Sequence, residues 1–201
     1  MKKILLYGGA FNPPHKGHER LLSLAIEAVK PALTLVVPSG VSPHKRNASV
    51  SFFDREVMAA RAFKGCGGDV RVSGIERAGK HKKSYTIKTV KRLKRKYANS
   101  EIYLLIGSDM LTTFSEWHLY RRLLKEVVIV AAVREDEDKA ELMAAKTSLE
   151  QEGAKITVLP LDPVEISSTA LREAIKKGED TSGYISSKVL DYIKKRKLYL
   201  A

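Results

Sequence analysis

Two histidines three residues apart, His15 and His18, close the segment Gly8-Gly9-Ala10-Phe11-Asn12-Pro13-Pro14-His15-Lys16-Gly17-His18. Far along the sequence, Ile166-Ser167-Ser168-Thr169-Ala170-Leu171-Arg172 gathers three hydroxyls and a guanidinium. These groups are mainly hydrogen-bond donors and cations, so the ligand they suit is an anion. Imidazoles placed around one turn can face one ligand, hold phosphoryl oxygens and stabilise charge on a departing pyrophosphate. Successive glycines let a nucleotide approach the backbone without meeting a Cβ. A zinc reading of the two histidines falls short of the three protein ligands zinc usually takes. The segment also lacks the Lys-Ser/Thr ending of a P-loop and the G-x-G-x-x-G of a dinucleotide fold.

Such donors need rigid elements behind them. Short Val, Ile and Leu runs at Lys3–Tyr7, Leu33–Val37, Val70–Ser73, Ile102–Ile106, Val127–Val133 and Ile156–Leu159 read as strands buried on both faces. Amphipathic stretches near His18–Val29, Phe53–Lys64, Tyr85–Tyr97, Glu137–Gln151, Ser168–Lys177 and Ser187–Lys197 read as helices. The alternation predicts an α/β chain with a Rossmann-like, doubly wound, mostly parallel sheet and helices on both faces, in a single domain over 1–201. Both chemical segments then sit at helix starts, where free N–H groups and the positive end of the helix dipole favour phosphate. Ser167 or Ser168 is suited to cap the second of these helices, with Arg172 about one turn in.

Composition narrows the classes. The 201 residues carry 44% hydrophobic and 29% charged side chains, a globular balance, and no run approaches the roughly 20 apolar residues of a membrane helix. The start, Met1 to Tyr7, reads as a strand rather than a signal peptide. Cys66, the single cysteine, offers neither a disulfide nor a metal site, and a reducing cytoplasm fits. The net charge of +13 is densest between Arg77 and Lys96. That stretch lacks interleaved aromatics and any nucleic-acid-binding signature, so it reads as a solvated face rather than a nucleic-acid site.

The first segment resembles the loop of the His-x-Gly-His nucleotidyltransferase superfamily, and Ile166–Arg172 resembles that superfamily's second phosphate motif. Further segments resemble the nicotinate mononucleotide adenylyltransferases of bacteria: Pro38 to Lys45, Ser84-Tyr85-Thr86-Ile87-Lys88-Thr89, Ile106-Gly107-Ser108-Asp109, Phe114-Ser115-Glu116-Trp117-His118 and the closing Tyr184–Tyr199. Two positions depart from the family pattern, with Lys88 where Asp is usual and His118 where Tyr is common.

The resemblance implies direct attack of the mononucleotide phosphate on the α-phosphorus of ATP, with no covalent intermediate. It assigns His15, His18, Lys45 and Arg172 to catalysis. ATP would meet Gly8, Gly9, Ala10, Phe11, His15, His18, Gly107, Asp109, Ile166, Ser167, Ser168, Thr169 and Arg172. The mononucleotide would meet Lys45, Thr86, Trp117, His118 and Arg134. Mg²⁺ would arrive with ATP, held by phosphates and water rather than by a protein cage. ATP and nicotinate mononucleotide are the expected partners, without nucleic acid or membrane; self-association is left open. Phosphopantetheine, glycerol phosphate and nicotinamide mononucleotide are the rival acceptors.

Overall fold

All six expected strands form, and they pair into one fully parallel sheet in the order β3-β2-β1-β4-β5-β6. They are β1 Lys2–Gly9, β2 Leu33–Pro38, β3 Val70–Val72, β4 Ser100–Gly107, β5 Val127–Arg134 and β6 Lys155–Leu161. The computed structural model describes residues 1–40, 50–77, 84–134, 139–161 and 166–200, without the side chains at 133, 134, 139 and 161. The helices are α1 Lys16–Val29, α2 Phe52–Phe63, α3 Thr86–Lys96, α4 Ser108–Thr112, α5 Tyr120–Leu124, α6 Lys139–Gln151, α7 Ser168–Lys177 and α8 Ser187–Arg196. Among the described residues no helix is long and apolar enough to cross a membrane.

The period-two alternation of side chains divides each strand between two cores. Leu5 and Tyr7 of β1, with Val36, Leu105 and Val130, pack against α1, α2, α7 and α8 through Leu22, Ala25, Met58, Phe63, Leu171 and Ile193. Ile4 and Leu6, with Leu35, Ile102, Leu104 and Ile129, face α3, α5 and α6 through Val90, Leu93, Leu123 and Leu142. Helices thus cover both faces. Burying a side chain such as Leu22 or Leu104 stabilises the fold by about 1.5–3 kcal/mol.

Element ends depart from periodicity where the end residues are polar. α1 starts at Lys16, two residues before the expected His18, because its first turn carries no apolar residue to register the period. α4 and α5, five residues each, were not expected; a helix of little more than one turn has no period to read. α6 is described from Lys139, so the expected start at Glu137 lies outside the described residues.

A polar knot joins α2 to α8. Buried Asp54 accepts hydrogen bonds from Ser51 Oγ at 2.5 Å, Tyr192 Oη at 2.8 Å and Arg196 Nε at 3.3 Å. Burial would raise the carboxyl pKa, but the Ser51 and Tyr192 hydrogen bonds and the Arg196 charge outweigh it and hold it below its ordinary value. A depressed carboxylate pKa adds stability that is fully present above the ordinary Asp value and lost as pH falls through the folded one. Asp54→Asn is therefore expected to cost about 1–3 kcal/mol at neutral pH, since an amide group would confront two or more donors. Urea unfolding should show that difference narrowing as pH falls below the ordinary Asp range and through the depressed pKa of the folded carboxyl.

Candidate active site

The sheet reverses its winding between β1 and β4, because β2 and β3 lie to one side and β5 and β6 to the other. At this point β1 and β4 part. Their pairing ends at Tyr7↔Leu105, whereas β1 stays paired with β2 as far as Gly9↔Pro38 and β4 with β5 as far as Gly107↔Ala132. The divergence leaves a crevice at the carboxyl ends of the strands, the place where open α/β sheets take ligands. Gly8 and Gly9 lie on one lip and Gly107 on the other.

From Gly8 to His18 the chain crosses from β1 to α1. A Cβ on Gly8 would meet nothing within 4 Å, whereas one on Gly9 would strike the Phe11 ring at 2.8 Å. Gly8 is thus the glycine that leaves open room, and Gly9 is required by packing inside the protein. Phe11 adopts a positive φ of 46° and is 1% exposed, its ring edge-on to Tyr7 at 5.2 Å, Phe63 at 5.0 Å and His18 at 5.5 Å. Its ring belongs to the core, so only its backbone can serve a ligand.

His15 is the N-cap of α1 and His18 its third residue, which brings the ring centroids to 3.8 Å. The His15 backbone N–H donates to His18 Nδ1 at 3.3 Å. An accepting Nδ1 puts the proton of a neutral imidazole on Nε2, so His18 carries a donor on its other nitrogen.

Four carbonyls of this loop are gripped by donors from the β2 end, α2 and α7. Ser39 N–H donates to the Gly9 carbonyl at 2.8 Å and Arg55 Nη1 to that of Ala10 at 2.9 Å. Arg172 Nη1 reaches the Asn12 carbonyl at 2.9 Å, and Ser168 Oγ that of Pro13 at 2.9 Å. The start of α7 therefore lies against the loop, which brings together the two segments expected to bind phosphate. Ser167 caps α7 by accepting from Ala170 N–H at 3.1 Å, and Thr169 Oγ1 accepts from Arg172 Nη2 at 3.0 Å. Ile166, half-buried, precedes the cap. Arg172 uses two of its five guanidinium N–H groups in these bonds.

On the other lip, Asp109 stands exposed in the first turn of α4, and its Oδ1 accepts from Met110 N–H at 3.0 Å. That Oδ1 would lie 2.7 Å from a Cβ on Gly107, so this glycine makes room for the carboxylate. Trp117 is half-buried and stacks on Phe114, with centroids 4.9 Å apart and planes 23° off parallel. The ring of exposed His118 lies with its centroid 4.2 Å from that of Tyr85, the residue immediately before Thr86 at the start of α3. Thr86, Trp117 and His118 are thereby brought into one neighbourhood. Lys45 and the side chain of Arg134 lie outside the described residues.

The cytidylyltransferase-like family matches residues 6–174. A relative from Thermosipho melanesiensis, described as a probable nicotinate-nucleotide adenylyltransferase, is 35% identical over 94% of this chain and 93% of its own length. One of the same description from Shouchella clausii is 34% identical over 99% of this chain and 97% of its own. The chain belongs to the nicotinate-nucleotide adenylyltransferase family. The Rossmann-like fold agrees with a Plasmodium falciparum nicotinic acid mononucleotide adenylyltransferase solved with NaAD, at TM-score 0.80 and 21% identity, covering 99% of this chain and 98% of that one.

Sequence reasoning did not single out Arg55 at this adenylyltransferase-family site. The signal was present: Arg55 falls on the stripe Arg55, Met58, Ala59, Ala62 that α2 buries. A guanidinium on an apolar stripe needs a polar partner, and the Ala10 carbonyl is that partner. Burial lowers the Arg55 pKa, without removing a charge held so firmly as a guanidinium's.

The two glycines of the loop should separate on substitution. Gly9→Ala is expected to destabilise the protein by about 1–3 kcal/mol, because the Phe11 ring has no space to yield. Gly8→Ala should shift stability by less than about 0.5 kcal/mol. Paired chemical-denaturation curves decide this, and equal midpoints for the two variants would refute it.

Proposed function

We propose that this protein transfers the adenylyl group of Mg-ATP to nicotinate mononucleotide, giving deamido-NAD and pyrophosphate. The observation that carries the reading is the juxtaposition of His15 and His18 at the α1 start with Ser168 and Arg172 of α7, beside the parted strands. The phosphate of the mononucleotide is already an anion and attacks the α-phosphorus of ATP in line, without a general base or an enzyme-bound intermediate. What the protein supplies is position and positive charge.

His15 and His18 donate to oxygens of the α- and β-phosphates, and Lys45 to the reacting phosphates. The α7 start, with Ser167, Ser168, Thr169 and Arg172, receives the β/γ end. Asp109 accepts from ribose hydroxyls across the crevice, where Gly8, Ala10 and Gly107 offer backbone. Trp117, backed by Phe114, offers a stacking surface to the pyridine ring, with Thr86 and the His118 backbone toward its carboxylate and Arg134 toward the nucleotide. Mg²⁺ enters as part of the substrate. The donors at the two helix starts are N–H, O–H and guanidinium groups that suit phosphate oxygens, and among the described residues no group of three His, Cys, Asp or Glu is placed to hold a metal. ATP as donor makes a cytoplasmic setting part of this reading.

Pyrophosphate release with Mg-ATP should be much faster with nicotinate than with nicotinamide mononucleotide. Equal rates would keep the chemistry and refute the assigned pyridine pocket, and no release with either would refute the reaction. His18→Ala should lower turnover at least ~100-fold, the scale of losing one strong transition-state donor. Near-wild-type turnover in that variant would remove His18 from the role.

A further inference from the structure

Lys197, the residue that ends α8, and Tyr199 both take positive φ, 52° and 68°, and this double hook turns the chain back toward the β1–α1 loop. The Tyr199 hydroxyl ends up 2.7 Å from Asn12 Oδ1, a buried bond between residues 187 positions apart. Tyr199 is 9% exposed and Asn12 9%. Asn12 is held at two points, its side chain by Tyr199 and its carbonyl by Arg172. It lies between Phe11, whose left-handed backbone must be constrained to persist, and the prolines that lead to His15.

The segment that delivers Tyr199 is itself anchored. α8 is tied to α2 through Tyr192 and Arg196 on Asp54, and the next residue of α2, Arg55, grips the Ala10 carbonyl. Loop, α2, α8 and the Tyr199 hook therefore close a ring of polar contacts behind the histidines. Tyr199 lies beyond residues 6–174, the portion matched by the cytidylyltransferase-like family.

We propose that Tyr199 is a positioning residue of the active site: its hydroxyl fixes Asn12, and through Asn12 the spacing between His15 and Arg172. This rests on the adenylyltransferase reading of the site. The hydroxyl touches no reacting atom, so its loss should disturb the geometry of the transition state more than the affinity for ATP. Burial pushes the Tyr199 pKa up, against the opposing charges of Arg172 and Arg55, which keeps the hydroxyl a donor across the working pH range.

The test is Tyr199→Phe, which keeps the ring and removes the oxygen, beside Asn12→Ala and the double variant. Pyrophosphate release with Mg-ATP and nicotinate mononucleotide should show kcat lowered about tenfold, with the KM for ATP changed less than about twofold. The double variant should be no worse than the poorer single one, since both remove the same bond. Amide hydrogen exchange across residues 9–15 should speed up in Tyr199→Phe while exchange in β4 and β5 is unchanged. Wild-type kcat in folded Tyr199→Phe, multiplicative defects in the double variant, or a loss of activity matched by the unfolded fraction would each overturn the proposal. Should Tyr199→Phe fail to fold, Asn12→Ala carries the same comparison, and wild-type kcat there would overturn it too. If the wild type releases no pyrophosphate, the reaction assignment fails on its own, and unchanged loop exchange still refutes the Tyr199–Asn12 role.

Discussion

The parting of β1 from β4 is the constraint on which the rest of the site depends. Parallel strands stay 4.7–4.9 Å apart while they are paired, too close for a nucleotide to lie between them. Here the ladder between these two strands ends at Tyr7↔Leu105, while each keeps its outer neighbour for two further residues. The outer pairings hold the lips of the crevice in place, so the opening is built into the sheet and needs no separate element to prop it. The chain order makes this the winding reversal, which sends α1 to one face and the β4–α4 turn to the other.

A crevice alone would leave the β1–α1 loop free to wander. That loop contains a non-glycine residue at positive φ, an arrangement that costs free energy and survives only when its surroundings over-determine it. Two kinds of force do so here. The Phe11 ring is locked among Tyr7, Phe63 and His18, with Gly9 shaped to admit it. Loop carbonyls are held by donors from the β2 end, α2 and α7. Each such bond contributes only about 1 kcal/mol net, but their number leaves the loop few alternatives. The result is a histidine pair held in place by contacts within the protein itself, an arrangement that would suit electrostatic stabilisation in the proposed reaction.

The basic composition acquires a partial explanation. Arg55 and Arg172 place two of the cations around the loop that carries His15 and His18, whereas Lys94 and Arg121 pair with Glu126 and Glu152 at the surface. Surface pairs of that kind contribute little to stability. The helix α3 that carries much of the Arg77–Lys96 charge buries Ile87, Val90 and Leu93 and turns its basic residues outward, as a solvated face does.

The sequence by itself determined the strand and helix alternation, since near-continuous Val, Ile and Leu runs mark strands buried on both faces and period-3.6 patterns mark the helices that cover them. It also singled out the two segments proposed to bind phosphate, because histidines after a Gly-Gly turn and hydroxyls at a helix start are local signals. Short polar-ended pieces escaped it: the first turn of α1, and α4 and α5, have too few apolar residues to reveal a period. Only the tertiary structure decided that Gly9 answers to Phe11 while Gly8 faces open space, and that Ser168 and Arg172 meet Pro13 and Asn12. Arg55 and Tyr199 became part of the site for the same reason. Those facts join residues up to 187 positions apart, and no local pattern encodes the directions in which buried donors and acceptors find one another.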